Sequence, residues 1–323
     1  MMEITSMNAR MWSRLGQRGA IFGVALPELA MSHENLRVVT ADLGLLSGLD
    51  RFKTANPDKY LNVGIAEQNM IGIAAGLARE GNCVFATTYA TFITMRSFEQ
   101  IRHNLGYLKY NVKVVGSSSG VVMGMSGNTH YALEDMALMR TIPNMKVLSP
   151  ADSVEAVKMV QDLVEMDGPV YLRLTGELSC PMVYKEDYSL EIGKGIVLKQ
   201  GTDVALIATG TMVSESLKAA GQLSQEGISC SVVDMHTIKP LDTVLLDQLF
   251  ASHRLLVTVE EHSKIGGLGS AVAEYKAGLQ HSPRQIMIGL PDVFGKAGEY
   301  KYLLEKYGLT STGIAQRVRE AME

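Results

Sequence analysis

Two successive series of short apolar runs, each alternating with longer helical stretches, limit what this chain can fold into more than any other feature. In the first series, residues 36–41, 82–87, 112–116, 146–148 and 170–174 read as buried strands, and 8–31, 68–79, 96–105 and 153–165 read as helices. Such alternation requires a mainly parallel sheet covered by helices. The pattern breaks over 177–192, where Cys180-Pro181 is followed by the polar run Lys185-Glu186-Asp187. A second series then begins, with strands at 204–209, 230–235, 255–260 and 285–288 and helices at 212–225, 241–250, 270–279 and 300–307. The expectation is an α/β chain of two domains, 1–180 and 193–323, joined by a linker at 181–192. The length of 323 residues suits two domains.

Composition narrows the function classes. The chain is 46% hydrophobic and 20% charged, close to ordinary globular usage. A net charge of -4 gives no basic footprint for nucleic acid. Cys83, Cys180 and Cys230 lie far apart, with neither metal-ligand spacing nor a disulfide framework, and read as buried thiols of a reducing compartment. The first residues lack an apolar signal core, and no apolar run is long enough to span a bilayer, so a cytoplasmic protein without membrane contact is expected. Gly266-Gly267-Leu268-Gly269 reads as a tight turn opening a helix, because the lysine-serine pair of a phosphate loop is missing.

One carboxylate stands out. Glu67 lies three residues before Met70, and Met70, Ile73, Ala74 and Leu77 mark one buried helix face. A glutamate projecting from that face must be paired, or be kept there by chemistry, because burying an ionised carboxylate alone is very costly. Two readings stay open on these residues: a capping or salt-bridged glutamate, and a group that shares a proton near neutral pH.

The surrounding motifs resemble those of the transketolase family of thiamine diphosphate enzymes. Gly64-Ile65-Ala66-Glu67-Gln68-Asn69-Met70 is similar to the family's glutamate motif, and the stretch from Thr88 through Phe92, Met95 and Phe98 to Arg102 is similar to its pyrimidine-stacking segment. Gly127-Asn128-Thr129-His130 and Ile142-Pro143-Asn144-Met145 follow in the family's order. Ile207-Ala208-Thr209-Gly210, His236-Thr237-Ile238-Lys239-Pro240 and the run from Glu260 to Gly269 resemble its C-terminal domain. The resemblance therefore implies a pyrimidine-binding domain of the thiamine diphosphate-binding fold followed by a transketolase C-terminal domain.

It also implies a missing half. The family holds the diphosphate through a divalent metal bound by a Gly-Asp-Gly motif and a later asparagine, and nothing in this sequence matches that pattern. Hard cations need clustered oxygen ligands. The expectation is a split enzyme, in which a partner subunit with the diphosphate-binding domain holds Mg2+ or Ca2+ and the two chains assemble as α2β2. Glu67 would hydrogen-bond the ring nitrogen of the cofactor's aminopyrimidine; Phe92 would stack on it, with Met95 and Phe98 beside it and Asp42 close by. Without the surrounding phrase, the two phenylalanines and Met95 read equally as a core stripe, and Asp42 as a cap at the C-terminal end of a strand, where open α/β sheets also place ligands. His130 matches a catalytic histidine near the donor hydroxyls. Arg14 and Arg173 match arginines that bind a sugar phosphate, with Ser47 in the same site. Arg18 is an alternative to Arg14, and Arg173, set in an apolar strand, needs a partner.

Two departures bear on substrate. Ser118 stands where many transketolases carry a phosphate-contacting histidine, and Ser126 where an aspartate reads a substrate hydroxyl. The implied reaction is transfer of a two-carbon ketol unit from a ketose, modified or unusual, to an aldose. The alternatives are a 2-oxo acid dehydrogenase β subunit, a subunit resembling 1-deoxyxylulose phosphate synthase, and a noncatalytic regulatory subunit.

Overall fold

The computed structural model describes residues 2–323, and both alternating series fold into helix-covered sheets. In the first, β1 (Leu36–Thr40), β2 (Tyr60–Asn62), β3 (Cys83–Tyr89), β4 (Val112–Ser117), β5 (Lys146–Leu148) and β6 (Val170–Arg173) run parallel in the order β5-β6-β4-β3-β1-β2. The second contains β7 (Ile196–Lys199), β8 (Val204–Ala208), β9 (Cys230–Asp234), β11 (Leu255–Ser263) and β12 (Arg284–Leu290) in the order β12-β11-β8-β9-β7, antiparallel only at the β7 edge. Strands β3, β4 and β6 are buried throughout, which explains their unbroken apolar character in the sequence.

The two sheets are not independent of each other. β10 (Thr237–Lys239) comes from the second half of the chain but pairs antiparallel with β5, Thr237 opposite Leu148 and Lys239 opposite Val147. It covers an edge of the first sheet that would otherwise be open. Ile238 is buried in the first domain's core with Val147 and Tyr171.

Helix 8–31 is not continuous. Gly16 adopts φ +69 within Ser6–Ala20, and a side chain there would lie 2.7 Å from the carbonyl oxygen of Glu177. A wider π-helical turn, Ile21–Ala25, then leads into the helix Leu26–Ser32. The expected helix at 96–105 likewise begins only after Ser97.

Residues 181–192 lie across a buried acid pair between the domains. Glu155, from the helix Ser153–Glu165, faces Asp234 at the end of β9. Tyr184 donates to Asp234 Oδ2 at 2.8 Å and Tyr188 to Glu155 Oε1 at 3.3 Å, the two tyrosine rings stacked 3.8 Å apart. Burial is the main cause that pushes Asp234 up to about 7 and Glu155 well above the carboxylate range, with Asp152 adding repulsion to both. An acid whose folded pKa is raised stabilises the fold fully below its unfolded pKa of about 4, and that contribution is lost as pH rises through 7. Thermal unfolding from pH 5 to 8 should therefore show Asp234→Asn gaining stability relative to the native chain as pH rises. A difference in Tm that stays constant across this range would contradict the raised pKa of Asp234.

Candidate active site

The loops that follow β1, β2, β3 and β4 all emerge at the C-terminal edge of the first sheet, the usual ligand edge of a parallel sheet. After β2 the chain turns at Gly64, φ +76, and enters the helix Glu67–Arg79, of which Glu67 is the first residue. Met70, Ile71 and Ala74 anchor that helix in the core, so Glu67 is held at 7% exposure. The helix N-terminus favours its negative charge. Arg96 Nη1 donates to Glu67 Oε1 at 2.8 Å. The same guanidinium lies 4.0 Å from the centroid of the Phe92 ring, a cation–π contact.

Arg96 thus places a flat, hydrogen-bond-donating group against both a buried carboxylate and an aromatic face. A flat nitrogen heterocycle with a protonated ring nitrogen would make the same two contacts, and the half-exposed Arg96 side chain stands in for it. The residues present fit an aminopyrimidine. Beside them, the edge of His130 approaches Phe92 with centroids 5.2 Å apart, and Tyr89 lies 5.8 Å from Phe92 and 6.1 Å from His130. His130 Nδ1 pairs with the Thr129 hydroxyl at 2.9 Å.

The other expected cofactor residues are placed differently. Met95 is partly exposed and its sulfur accepts from Thr91 Oγ1. Phe98 packs against the core cluster of Met70 and Ile71 beneath the site, because the chain restarts its helix after Ser97. This is the core-stripe alternative. Asp42 adopts φ +58 and is bound on both sides by Asn62: the Asp42 N–H donates to Asn62 Oδ1 at 3.0 Å, and Asn62 Nδ2 donates to Asp42 Oδ1 at 3.2 Å. The Gly64 N–H also donates to Asn62 Oδ1, so this asparagine ties the Asp42 turn to the turn before Glu67.

On the substrate side, Ser118 adopts φ +54 at the end of β4 and accepts from Arg18 Nη1 at 3.2 Å. Burial lowers the pKa of Arg18, with Tyr89 opposing the shift. Arg14 is exposed. The break at Gly16 means that Arg14 and Arg18 do not share a helix face, and Arg18 is the arginine that reaches the site. Ser126 is exposed on the loop before His130. Ser47 is fully buried with its hydroxyl unpartnered, so it does not face this cleft as expected.

Arg173 is the clearest correction. It is 1% exposed, donates through Nε to Asp135 Oδ2 at 2.7 Å and through Nη2 to the carbonyls of Ala132 and Glu261. Tyr171 also donates to Asp135. Burial alone would raise the Asp135 carboxyl, but Arg173 and His262 outweigh it and hold it below its usual range. Nε and Nη2 are taken up by this buried network, and at 1% exposure the side chain is placed in the core and not in an open sugar-phosphate site. The glycine turn at 266–269 is similarly filled, since Glu260 accepts the N–H groups of Leu268 and Gly269.

Among the described residues, no three His, Cys, Asp or Glu side chains group as metal ligands, and no helix is long and apolar enough to cross a membrane. Arg18, Asn62, Tyr89 and Arg96 are the site residues that sequence reading did not select. Tyr89 and Arg96 lie within the stretch singled out by resemblance, yet their contacts depend on the local turn.

Comparison with known proteins identifies both domains. Residues 18–180 match the family described as transketolase, pyrimidine binding domain, and residues 193–314 match transketolase, C-terminal domain. A putative transketolase C-terminal section from Methanocaldococcus jannaschii is 42% identical over 304 residues, covering 94% of this chain and 95% of that protein. The 6-deoxy-6-sulfo-D-fructose transketolase subunit SqwH of a Clostridium species is 38% identical over 301 residues, covering 92% of each. A 1-deoxy-D-xylulose-5-phosphate synthase from Chlorobium luteolum is 37% identical over 302 residues, 93% of this chain and 48% of that protein. A solved structure described as a split gene transketolase, an inactive beta4 tetramer, superposes with a TM-score of 0.85 at 42% identity, covering 95% of this chain and 97% of that one.

Proposed function

Because this chain belongs to the transketolase family, we propose that it is the pyrimidine-binding half of a split thiamine diphosphate enzyme that transfers a two-carbon ketol unit between sugars. The observation that carries this reading is the single planar cation shared by Glu67 and Phe92 beside His130. When bound, thiamine diphosphate supplies a nucleophilic carbon that takes up the two-carbon unit. Glu67 holds a proton at the pyrimidine ring nitrogen, and Phe92 orients the ring by stacking once Arg96 gives up its place. His130 contacts the donor hydroxyls, and Arg18 with Ser118 binds the anionic end of the sugar. A partner subunit holds Mg2+ or Ca2+ and the diphosphate, in an α2β2 assembly. That a related chain of matching length is described as an inactive beta4 tetramer supports the need for a second kind of subunit.

Ser118 and Ser126 favour a modified sugar as substrate. A neutral serine at each position leaves Arg18 as the anion contact, and the relatives include subunits named for 6-deoxy-6-sulfo-D-fructose and, from Phocaeicola vulgatus at 37% identity, for apulose-4-phosphate. In the assembled pair, xylulose 5-phosphate should therefore be a poor donor compared with sulfonated or otherwise modified ketoses. The double change Ser118→His with Ser126→Asp should shift relative kcat/KM towards xylulose 5-phosphate by about 1–3 kcal/mol. Wild-type turnover of xylulose 5-phosphate with kcat/KM above about 10⁴ M⁻¹s⁻¹ would remove the basis for an altered sugar site. A synthase-type reaction, the second reading supported by the Chlorobium relative, would be recognised in the same assay by formation of 1-deoxy-D-xylulose 5-phosphate.

A further inference from the structure

The loop of residues 118–130 carries Ser118, Ser126 and His130, yet much of what fixes it comes from the other domain. Within its own domain it is tied by Ser119 N–H to the Leu174 carbonyl and by a two-way bridge between Gly120 and Ala132. From the second domain, Glu261 Oε1 accepts the Val121 N–H at 2.8 Å, the Gly298 N–H donates to the Gly124 carbonyl at 3.0 Å, and the Gly295 carbonyl accepts from Asn128 Nδ2.

Glu261 is the most tightly determined of these contacts. It sits at 1% exposure near the end of β11, and its second oxygen accepts from Tyr300 at 2.7 Å and Thr211 at 3.4 Å. Gly120 adopts φ +69, and a Cβ there would lie 2.2 Å from Glu261 Oε1, so the loop backbone approaches the carboxylate as closely as glycine allows. A buried acceptor of this kind specifies one backbone position, because a displaced Val121 N–H would leave both groups unpaired. Val121 is three residues beyond Ser118, whose hydroxyl meets Arg18.

We propose that Glu261 is a positioning residue for sugar selection: a C-terminal-domain carboxylate that sets the Ser118–His130 loop without touching cofactor or substrate. The proposal rests on the reading of that loop as the sugar site. It assigns the second domain a part in specificity, while the Glu67–Phe92 half of the site sits on other loops and meets this one only through the edge of His130. An error of about 1 Å in such a loop is enough to cost up to roughly a hundredfold in rate.

The test joins a measurement independent of turnover to one that depends on it. In Glu261→Ala, which removes the acceptor of the Val121 N–H, and in Gly120→Ala, which disturbs the same contact from the loop side, amide hydrogen exchange of Val121 and residues 122–130 should rise by about tenfold or more, with β3 and β8 unchanged. In the assembled enzyme, KM for the ketose should rise about tenfold and selectivity between two ketoses should change, while proton exchange at the cofactor's reactive carbon stays within about twofold of wild type. Unchanged loop protection in both variants would overturn the proposal whatever the enzyme's reaction. So would parallel loss of cofactor proton exchange and turnover, which marks a general structural defect. Loosened loop protection with unchanged KM and selectivity would overturn the role in sugar selection. Loop loosening in the variants, with a wild-type pair that transfers no ketol unit, would leave the clamp standing and remove the reading of the site on which sugar selection depends.

Discussion

Glu67→Gln should slow proton exchange at the reactive carbon of thiamine diphosphate by about 10²–10⁴ in the assembled enzyme, the usual range for a general acid or base. Glutamine keeps the shape of the side chain at the start of its helix but cannot carry the negative charge that favours a protonated ring nitrogen. The fold should hardly notice. The Glu67–Arg96 pair has a half-exposed arginine, and such pairs contribute at most about 1 kcal/mol. The two readouts therefore separate chemistry from stability, using NMR exchange for the first and thermal unfolding for the second. Exchange within about threefold of wild type would leave Glu67 as a salt-bridged cap and nothing more.

The other large effect concerns assembly. The isolated chain should show no turnover, and a subunit supplying the Gly-Asp-Gly half should restore it. The physical reason lies in what surrounds the site. Glu67 and Phe92 present a carboxylate and an aromatic face that suit a pyrimidine, but nothing among the described residues offers a cluster of oxygen ligands for a metal–diphosphate group. The loops around them also expose large apolar side chains: Leu45 at 74%, Ile65 at 80%, Met125 at 74% and Phe294 at 89%. Exposed apolar surface around a polar site is the mark of an interface, and a partner seated there would close the cleft from water as well as complete it.

Much of this was legible in the sequence, for reasons that differ by residue. The buried strands announced themselves because both their faces are covered, and the helix after Glu67 because Met70, Ile73, Ala74 and Leu77 recur at helical spacing; Met70 and Ala74 are fully buried, Ile73 and Leu77 half-buried, and Ile71 completes the face. β10 was not legible: three residues give no period, and their partner β5 belongs to the other half of the chain. Arg14 was chosen over Arg18 by motif resemblance, which does not fix the position within one turn; Gly16, with its positive φ, separates the two, and Arg18 is the one that meets Ser118. Arg173 looked like a phosphate ligand because its strand context shows the need for a partner but not which one; Asp135 meets that need from 38 residues earlier. Arg96 was hidden for a related reason. Its spacing four residues after Phe92 lets the guanidinium cover that ring, but nothing local shows that Glu67, 29 residues earlier, is its partner. Motif resemblance singled out Glu67, Phe92 and His130, which the structure brings close together, whereas Asn62 and Glu261 accept backbone N–H groups, contacts that only the folded chain shows.

The claim that this chain is half of a shared site is tested most directly by calorimetric titration of thiamine diphosphate with Mg2+ into the purified chain, alone and then with its partner subunit. Weak binding alone, with micromolar or tighter binding on addition of the partner, is the predicted result. Micromolar affinity of the isolated chain, about 8 kcal/mol of binding free energy without any diphosphate-holding partner, would contradict it.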